Sequence, residues 1–350
     1  MKLLILTQKV DQNDDVLGFF HRWLEVFAKH AEHVIVICLQ EVMHALPKNV
    51  QVYSLGKERS VSRYQYLITF FRLIWQQRKN YDVVFVHMNP IYVLLGGLCW
   101  YFLKKPIALW YTHKQVDLKL RLAEKVVDRI FTASATSFRL PSLKVRVTGH
   151  GIDTEQFSPR PSSVDAKCHL VTTGRISPIK DYETLIRAAA ILAKTNMPFE
   201  VTLIGDVAHE QERVYLDRLK QLVQKDELET IVHFKGAIPN RILPTELARA
   251  TVFINMSRTG SLDKAVLEAM ALGIPILTSN EAFRDILEED AALLLFPEGD
   301  AQALADKVRV IQTLRAPERK ALVERLRGIV VKKHNLERLI PLLLQSYGSS

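Results

Sequence analysis

The chain opens on Lys2-Leu-Leu-Ile-Leu-Thr7, an apolar run of strand length that reads as a buried first strand. A polar loop, Gln8–Asp15, and a helical pattern from Val16 through Ala31 come next, followed by a second buried strand at Val34–Cys38. Helix-period apolar spacing recurs over Tyr64–Trp75, and Val83–Val86, Ile107–Tyr111 and Arg129–Thr132 continue the strand series. Turn formers then crowd Gly149–Pro161 and run on through Ser163, which predicts a linker. Beyond it the alternation restarts. Strands Leu170–Thr173, Phe199–Ile204, Ile231–Phe234, Val252–Asn255 and Ile274–Leu277 interleave with helices Tyr182–Lys194, Glu210–Val223, Pro244–Arg249, Ala265–Leu272 and Ala301–Leu314.

Strands alternating with helices on both sides of one linker predict an α/β chain of two Rossmann-like, doubly wound domains. The length of 350 residues agrees, being too long for one ordinary core and comfortable for two. The expected division is 1–160 and 161–335, with a last stretch at about 336–350. Parallel sheets bind ligands beyond the carboxyl ends of their strands, so two such domains facing a central cleft can hold a donor and an acceptor.

Composition narrows the class. Just under half of the residues are apolar and 24% are charged, the balance of a globular protein. Cys38, Cys99 and Cys168 are scattered and odd in number, which fits a reducing compartment and neither a disulfide framework nor a zinc site. Leu3–Leu6 is too short for a signal peptide core, and Ile91–Leu103, broken by Gly96 and Gly97, is too short to span a membrane. The expectation is a cytoplasmic chain, soluble or peripheral on the inner face of the membrane.

Charge is uneven. Residues 1–160 hold 22 Lys/Arg against 13 Asp/Glu, an excess of nine, whereas residues 161–350 hold 25 of each. A basic half is consistent with nucleic acid, an anionic membrane surface or a phosphorylated acceptor, and equally with a merely solvated surface. Phe70, Phe71, Trp75 and Arg78 are candidates for membrane docking, with a core role for the aromatics as the plain alternative.

Two segments carry candidate chemistry. In Val171-Thr-Thr-Gly-Arg-Ile-Ser-Pro-Ile-Lys-Asp-Tyr182 a strand runs into Gly174, and Arg175 and Lys180 fall in the turn before a helix. A planar guanidinium and an ammonium point charge suit a diphosphate. In Ser257-Arg-Thr-Gly-Ser-Leu-Asp-Lys-Ala-Val-Leu-Glu268 a turn through Gly260, Ser261 and Leu262 leads into a helix carrying Asp263, Lys264 and Glu268. Backbone N–H groups at such a turn form an anion site. Lys264 and Glu268 share a helix face, an arrangement that is also an ordinary helix-stabilising pair.

Gly174-Arg175 through Lys180-Asp181, together with Leu267-Glu-Ala-Met-Ala-Leu-Gly-Ile-Pro-Ile276, resemble the retaining glycosyltransferases of family 4, which have the GT-B fold. Gly149-His-Gly-Ile-Asp153 with Phe157 is similar to that family's domain junction, and Phe296-Pro-Glu-Gly-Asp300 to its late strand and turn. The resemblance covers the second domain and linker, and the first domain only in its α/β rhythm. It implies a metal-independent transfer of a hexose-type sugar from a UDP- or GDP-sugar to a saccharide or lipid-linked acceptor, with no further cofactor. Arg175 and Lys180 would hold the donor diphosphate, Glu268 the ribose, Ala237 and Ile238 the base, and Gly205-Asp206 the pocket border. His113 is placed where the family has an active-site histidine, with His87 and His150 as weaker candidates. The Leu336–Tyr347 stretch would cross back to the first domain, and the loop Lys9–Gly18 would approach the donor. The absence of any Asp-x-Asp agrees with a reaction that needs no metal.

One position departs from the pattern. Where the family commonly has a second glutamate, eight residues before Glu268, this chain has Gly260. Either Asp263 and the backbone of Thr259–Leu262 take over the sugar contacts, or activity is lost. The rival readings are therefore a non-catalytic nucleotide-sugar-binding protein and a nucleotide-sugar epimerase. A dehydrogenase lacks its Gly-x-Gly-x-x-Gly turn, and a nucleic-acid binder leaves the second domain's cluster unexplained.

Overall fold

The computed structural model describes residues 1–159 and 167–348. The part of the expected linker at residues 160–166 lies outside the described residues. The chain forms two compact units. Unit 1 comprises Met1–Asp153, Pro239–Arg241 and His334–Ser350, and unit 2 comprises Thr154–Ile238 and Ile242–Lys333.

Unit 1 runs β1 (Lys2–Val10), α1 (Gly18–His30), β2 (His33–Glu41), β3 (Val50–Ser54), α2 (Arg63–Gln76), β4 (Val83–His87) and α3 (Pro90–Phe102). It continues with β5 (Ile107–Trp110), α4 (Leu118–Val126), β6 (Arg129–Thr132) and β7 (Val145–Val147). Its seven parallel strands are ordered β3-β2-β1-β4-β5-β6-β7. Both faces of β1 are buried, which is why its sequence is continuously apolar rather than alternating. Leu3 and Ile5 join a core with Phe20, Trp23 and Phe27 of α1. Leu4 and Leu6 point the other way, into a core with Phe70 of α2, Trp100 of α3 and Leu120 of α4. Phe70 is therefore a core residue, 1% exposed, and the expectation that it faces a membrane is corrected. Strand β1 also runs past the predicted loop start, because Lys9 and Val10 still pair with Gln40 and Glu41 of β2.

Unit 2 runs β8 (Cys168–Thr173), α5 (Tyr182–Ala193), β9 (Phe199–Ile204), α6 (Arg213–Lys225), β10 (Val232–Gly236), α7 (Leu243–Leu247) and β11 (Val252–Asn255). Then come α8 (Lys264–Ala271), β12 (Ile276–Thr278), α9 (Arg284–Leu287), α10 (Ala291–Leu294), α11 (Ala301–Thr313) and α12 (Ala316–Lys333). Its parallel sheet is ordered β10-β9-β8-β11-β12. Chain order reverses direction between β8 and β11, so the residues just past Thr173 and Asn255 flank the topological switch point, where open α/β sheets bind ligands.

The last helix, α13 (Leu336–Ser346), returns to unit 1, where Leu336, Leu339, Ile340 and Leu343 fill the core beside α1. It is held at its start by a bridge: Ile152 N–H donates to the His334 carbonyl at 2.7 Å, and Leu336 N–H to the Ile152 carbonyl at 2.9 Å. Gly151 makes room for Trp23, whose indole N–H donates to the Gly151 carbonyl at 3.1 Å.

Candidate functional site

The loop after β8 is shaped by two glycines. Gly174 has φ +147° and Gly205, at the end of the adjacent β9, has φ +143°. A Cβ on Gly205 would lie 2.0 Å from the Gly174 carbonyl oxygen, so the two backbones approach as closely as only glycine permits. Gly174 N–H donates to the Ile204 carbonyl at 3.0 Å, and Ile176 N–H to the Asp206 carbonyl at 2.9 Å, which lashes the loop to β9. The buried Tyr182 hydroxyl donates to the Gly174 carbonyl at 2.9 Å. A single 3-10 turn, Pro178–Lys180, then reverses through Asp181 (φ +50°) into α5.

This route delivers Lys180 to the switch point. Its Nζ lies 2.7 Å from Asp263 Oδ1 and 3.4 Å from Ser257 Oγ. Asn255 Nδ2 donates to the other Asp263 oxygen at 3.2 Å, and Asn280 Nδ2 reaches it at 3.4 Å while donating to the Ser261 carbonyl at 2.8 Å. Burial opposes ionisation of Asp263, but the Lys180 ammonium, with hydrogen bonds from Lys180, Ser257 and Asn255, holds its carboxyl below the usual carboxylate range. Arg258 ties the same two segments together: its backbone N–H donates to the Ile179 carbonyl at 2.9 Å and its Nη2 to Asp181 Oδ2 at 2.8 Å.

Arg175 is different. It is exposed, and its guanidinium has no hydrogen bond or ion pair among the described residues. All of its donors are available to a ligand.

Helix α8 begins directly after Asp263. The Lys264 ammonium donates to the buried Glu268 carboxylate one turn on and lies 6.0 Å from the centre of the Phe157 ring. Gly260 has φ +62°, the left-handed region, where glycine is at ease and a glutamate is strained. The backbone thus supplies a local reason for the missing carboxylate. Ser261 presents its carbonyl to Asn280, and Leu262 is buried beneath the turn. Ala237, exposed, and Ile238, half-buried, follow β10 immediately.

Unit 2 therefore joins Lys180, Ser261 and Asp263 in one hydrogen-bonded network, with Gly174 close to the Lys180 side chain, Gly205 packed against Gly174, Arg175 beside Gly174 and Lys264 beside Asp263. Asn255, Asn280, Ser257 and Arg258 belong to that network, and sequence reasoning missed their part in it. A signal did exist, since Asn255 and Asn280 are polar residues closing or following two buried apolar strands.

The remaining candidates, His113, His150 and His87, belong to unit 1. His113 is exposed after β5 and accepts from Gln115 N–H at 3.1 Å on Nδ1. His150 donates its backbone N–H to His334 Nδ1 at 3.0 Å. His87 is a core residue, a correction to its candidacy: it is 2% exposed, stacked on Phe20 at 3.9 Å, with Nδ1 3.2 Å from Thr7 Oγ1. Burial depresses its pKa to about 3, so the ring stays neutral. In the Lys9–Gly18 loop, Lys9 pairs with Asp11 and Asp14, and Asp14 accepts from the N–H groups of Val16 and Leu17 at 2.9 and 2.6 Å.

Residues 167–313, which contain the whole unit 2 network, match the family model for glycosyl transferases group 1. This stretch is the part of the chain that is similar to group 1 glycosyl transferases. The chain is also 30% identical over 217 residues to the putative colanic acid biosynthesis glycosyltransferase WcaL of Escherichia coli, covering 59% of this chain and 52% of that protein. It is 28% identical over 187 residues to the amylovoran biosynthesis glycosyltransferase AmsK of Erwinia amylovora, covering 51% and 44%. The chain thus spans about half the length of these curated relatives. Among solved structures, Anabaena Alr3699/HepE in complex with UDP and glucose superposes with a TM-score of 0.78 over the full length of both chains at 16% identity. That likeness concerns the fold, which is GT-B with two parallel α/β sheets.

Proposed function

We propose that the chain moves a hexose-type sugar from a nucleoside-diphosphate sugar, carried on UDP or GDP, to a hydroxyl of a saccharide or lipid-linked acceptor in polysaccharide biosynthesis. The observation that supports this best is the pairing, at one switch point, of an unengaged guanidinium, Arg175, with an ammonium held in place, Lys180. An ammonium has three N–H donors. Asp263 takes one at 2.7 Å and Ser257 a weak second at 3.4 Å, which leaves a donor for a phosphate oxygen.

As the sugar C1–O bond to the diphosphate breaks, negative charge grows on the leaving phosphate. Arg175 and Lys180 stabilise that charge without a metal ion. The acceptor oxygen bonds C1 from the face the diphosphate leaves, so configuration is retained, and its proton passes to a phosphate oxygen of the leaving group. Glu268 accepts from the ribose hydroxyls. Ala237 and Ile238 meet the base through their backbone, and Gly205 borders the pocket. Asp263 and the backbone from Gly260 to Leu262 contact the transferred sugar, and Lys264 orients Glu268. The acceptor, with His113, falls to unit 1 at the cytoplasmic face of an anionic membrane.

The test is a donor screen without added metal, recording both binding and nucleoside-diphosphate release. Release from one donor, raised by a saccharide or lipid-phosphate acceptor and lost on Arg175→Ala, supports transfer. Tight binding without release under any acceptor supports the non-catalytic reading that Gly260 prompts, and conversion of the donor sugar without acceptor supports an epimerase.

A further inference from the structure

Helices α2, α3 and α4 cover one face of the unit 1 sheet, and α3 is apolar all round. Its sequence, PIYVLLGGLCWYF, contains no charged residue. Tyr92, Val93 and Trp100 face the sheet core, yet Leu98 (69% exposed), Tyr101 (76%) and Phe102 (73%) face solvent. A helix on the surface of a globular protein normally turns a polar side outward, and one that is hydrophobic all round is normally covered. The neighbours extend the patch. Phe71 and Trp75 stand out from α2, 45% and 55% exposed, while Phe70 and Ile74 of the same helix fill the core. On α4, Leu118 and Leu122 are exposed one turn apart.

The charge around this patch is predominantly positive. Residues 57–125 contain 12 Lys/Arg and four Asp/Glu, an excess of eight in a chain whose net charge is +9. Lys104 and Lys105 close α3, Lys119 and Lys125 lie on α4, and the Arg78 guanidinium rests 4.4 Å from the centre of the Trp75 ring. A second copy docking here would set this positive rim against itself, which like-charge repulsion opposes. An anionic lipid surface satisfies both features, taking the apolar side chains at the headgroup–acyl boundary and the cations at the phosphates. Among the described residues no helix is long and apolar enough to cross a membrane, which leaves a helix lying in the interface plane.

We propose that the α2–α3–α4 face of unit 1 is a membrane-docking surface that seats the outer side of α3 in the interface of an anionic bilayer. The lipid-linked acceptor in this picture rests on the transfer reading above, but the docking itself does not.

The test is flotation of the full chain with vesicles of phosphatidylcholine, alone or mixed with phosphatidylglycerol. Wild type is expected to float with the mixed vesicles, with a blue-shifted emission that Trp75→Phe removes. The combined variant Leu98→Ser, Tyr101→Ser, Phe102→Ser is expected to weaken binding by about tenfold or more with an unchanged thermal midpoint, since the three side chains are already in solvent. Lys104→Gln with Lys119→Gln and Lys125→Gln should weaken binding and flatten its salt dependence. Equal binding to both vesicle types, or by the serine variant and wild type, overturns the proposal. So does a wild-type dimer in sedimentation velocity that the serine variant abolishes. Donor turnover with a water-soluble acceptor is expected to survive the serine substitutions. A wild type that docks but never transfers therefore discredits the transferase reading and leaves the docking surface standing.

Discussion

Lys180 and Asp263, 83 residues apart, meet in a 2.7 Å ion pair between the loop after β8 and the start of α8. The pair is partly shielded, with the two side chains 17% and 13% exposed, and it holds the ammonium at one place before any ligand arrives. An anchored cation costs less reorganisation when charge develops next to it than one that must be gathered from solvent.

Removing the cation should separate stability from chemistry. Lys180→Ala leaves the Asp263 carboxylate uncompensated and should destabilise unit 2 by about 2 kcal/mol, much of it recovered when Asp263→Asn is added. Because Asp263 is held below its ordinary pKa of 3.8, the contribution of the pair is fully present above that pH and lost as pH falls through the lower folded value. Arg175→Ala, at an exposed and unengaged site, should change stability by less than about 0.5 kcal/mol. Both Lys180→Ala and Arg175→Ala should slow nucleoside-diphosphate release by roughly 100- to 1,000-fold. Urea melts at pH 7 and pH 3.5 beside turnover assays check all of these. Turnover unchanged in both single variants would remove the phosphate role.

The contact between Gly205 and Gly174 makes a sharp packing prediction. Gly205→Ala places a methyl group 2.0 Å from a backbone oxygen at an unfavourable φ, and it should cost about 3 kcal/mol or more. Gly236→Ala shares the positive φ but has nothing within 4 Å, and it should cost only about 1 kcal/mol. Equal losses of the denaturation midpoint in the two variants would show that the close approach is not what matters.

Restoring the carboxylate at Gly260 should not help. Gly260→Glu forces a side chain onto φ +62°, which should lower stability by about 1–2 kcal/mol. Transfer should fall or stay level rather than rise. A large gain in turnover with stability intact would mean that the turn is freer than its backbone implies.

His87 sets a pH dependence of unit 1 that is separate from the candidate site. Its folded pKa, near 3, lies below the unfolded value of 6.5, so the unfolded state binds the proton first as pH drops. The stability it protects is intact above pH 6.5 and falls by up to about 1.4 kcal/mol per pH unit below it. His87→Phe keeps a ring on Phe20 and should flatten the loss between pH 7 and pH 5. Parallel slopes for wild type and variant would exclude His87 as the source.

Much of this molecule was legible in the sequence, and the limits have identifiable causes. Arg129–Thr132, Phe199–Ile204 and Val252–Asn255 fall where apolar runs end against polar residues, so pattern alone bounded them. Edge strands β3 and β7 escaped because they are only partly buried and carry mixed residues such as Gln51 and Arg146. Helix α12 escaped because charges lie all around it and hide its period. In the site, Gly174, Arg175 and Lys180 were readable as a local turn. The partnership of Lys180 with Asp263 and Asn255 was not, since it depends on β11 lying beside β8, which is an order in space. His87 was misjudged for a related reason. A histidine closing a strand looks exposed until α1 is seen to lay Phe20 over it.

The Ile152–Asn335 bridge has a consequence for how the chain is made. Unit 2, interrupted only by Pro239–Arg241 of unit 1, lies wholly between Asp153 and His334, so a ribosome finishes it before the last helix of unit 1 exists. For the roughly 10–40 s that translation of this span takes, the face of α1 bearing Trp23 and Phe27 has no α13 to cover it. The half that begins first is completed last, and a nascent chain that stalls before Leu336 presents an open apolar face to chaperones and proteases.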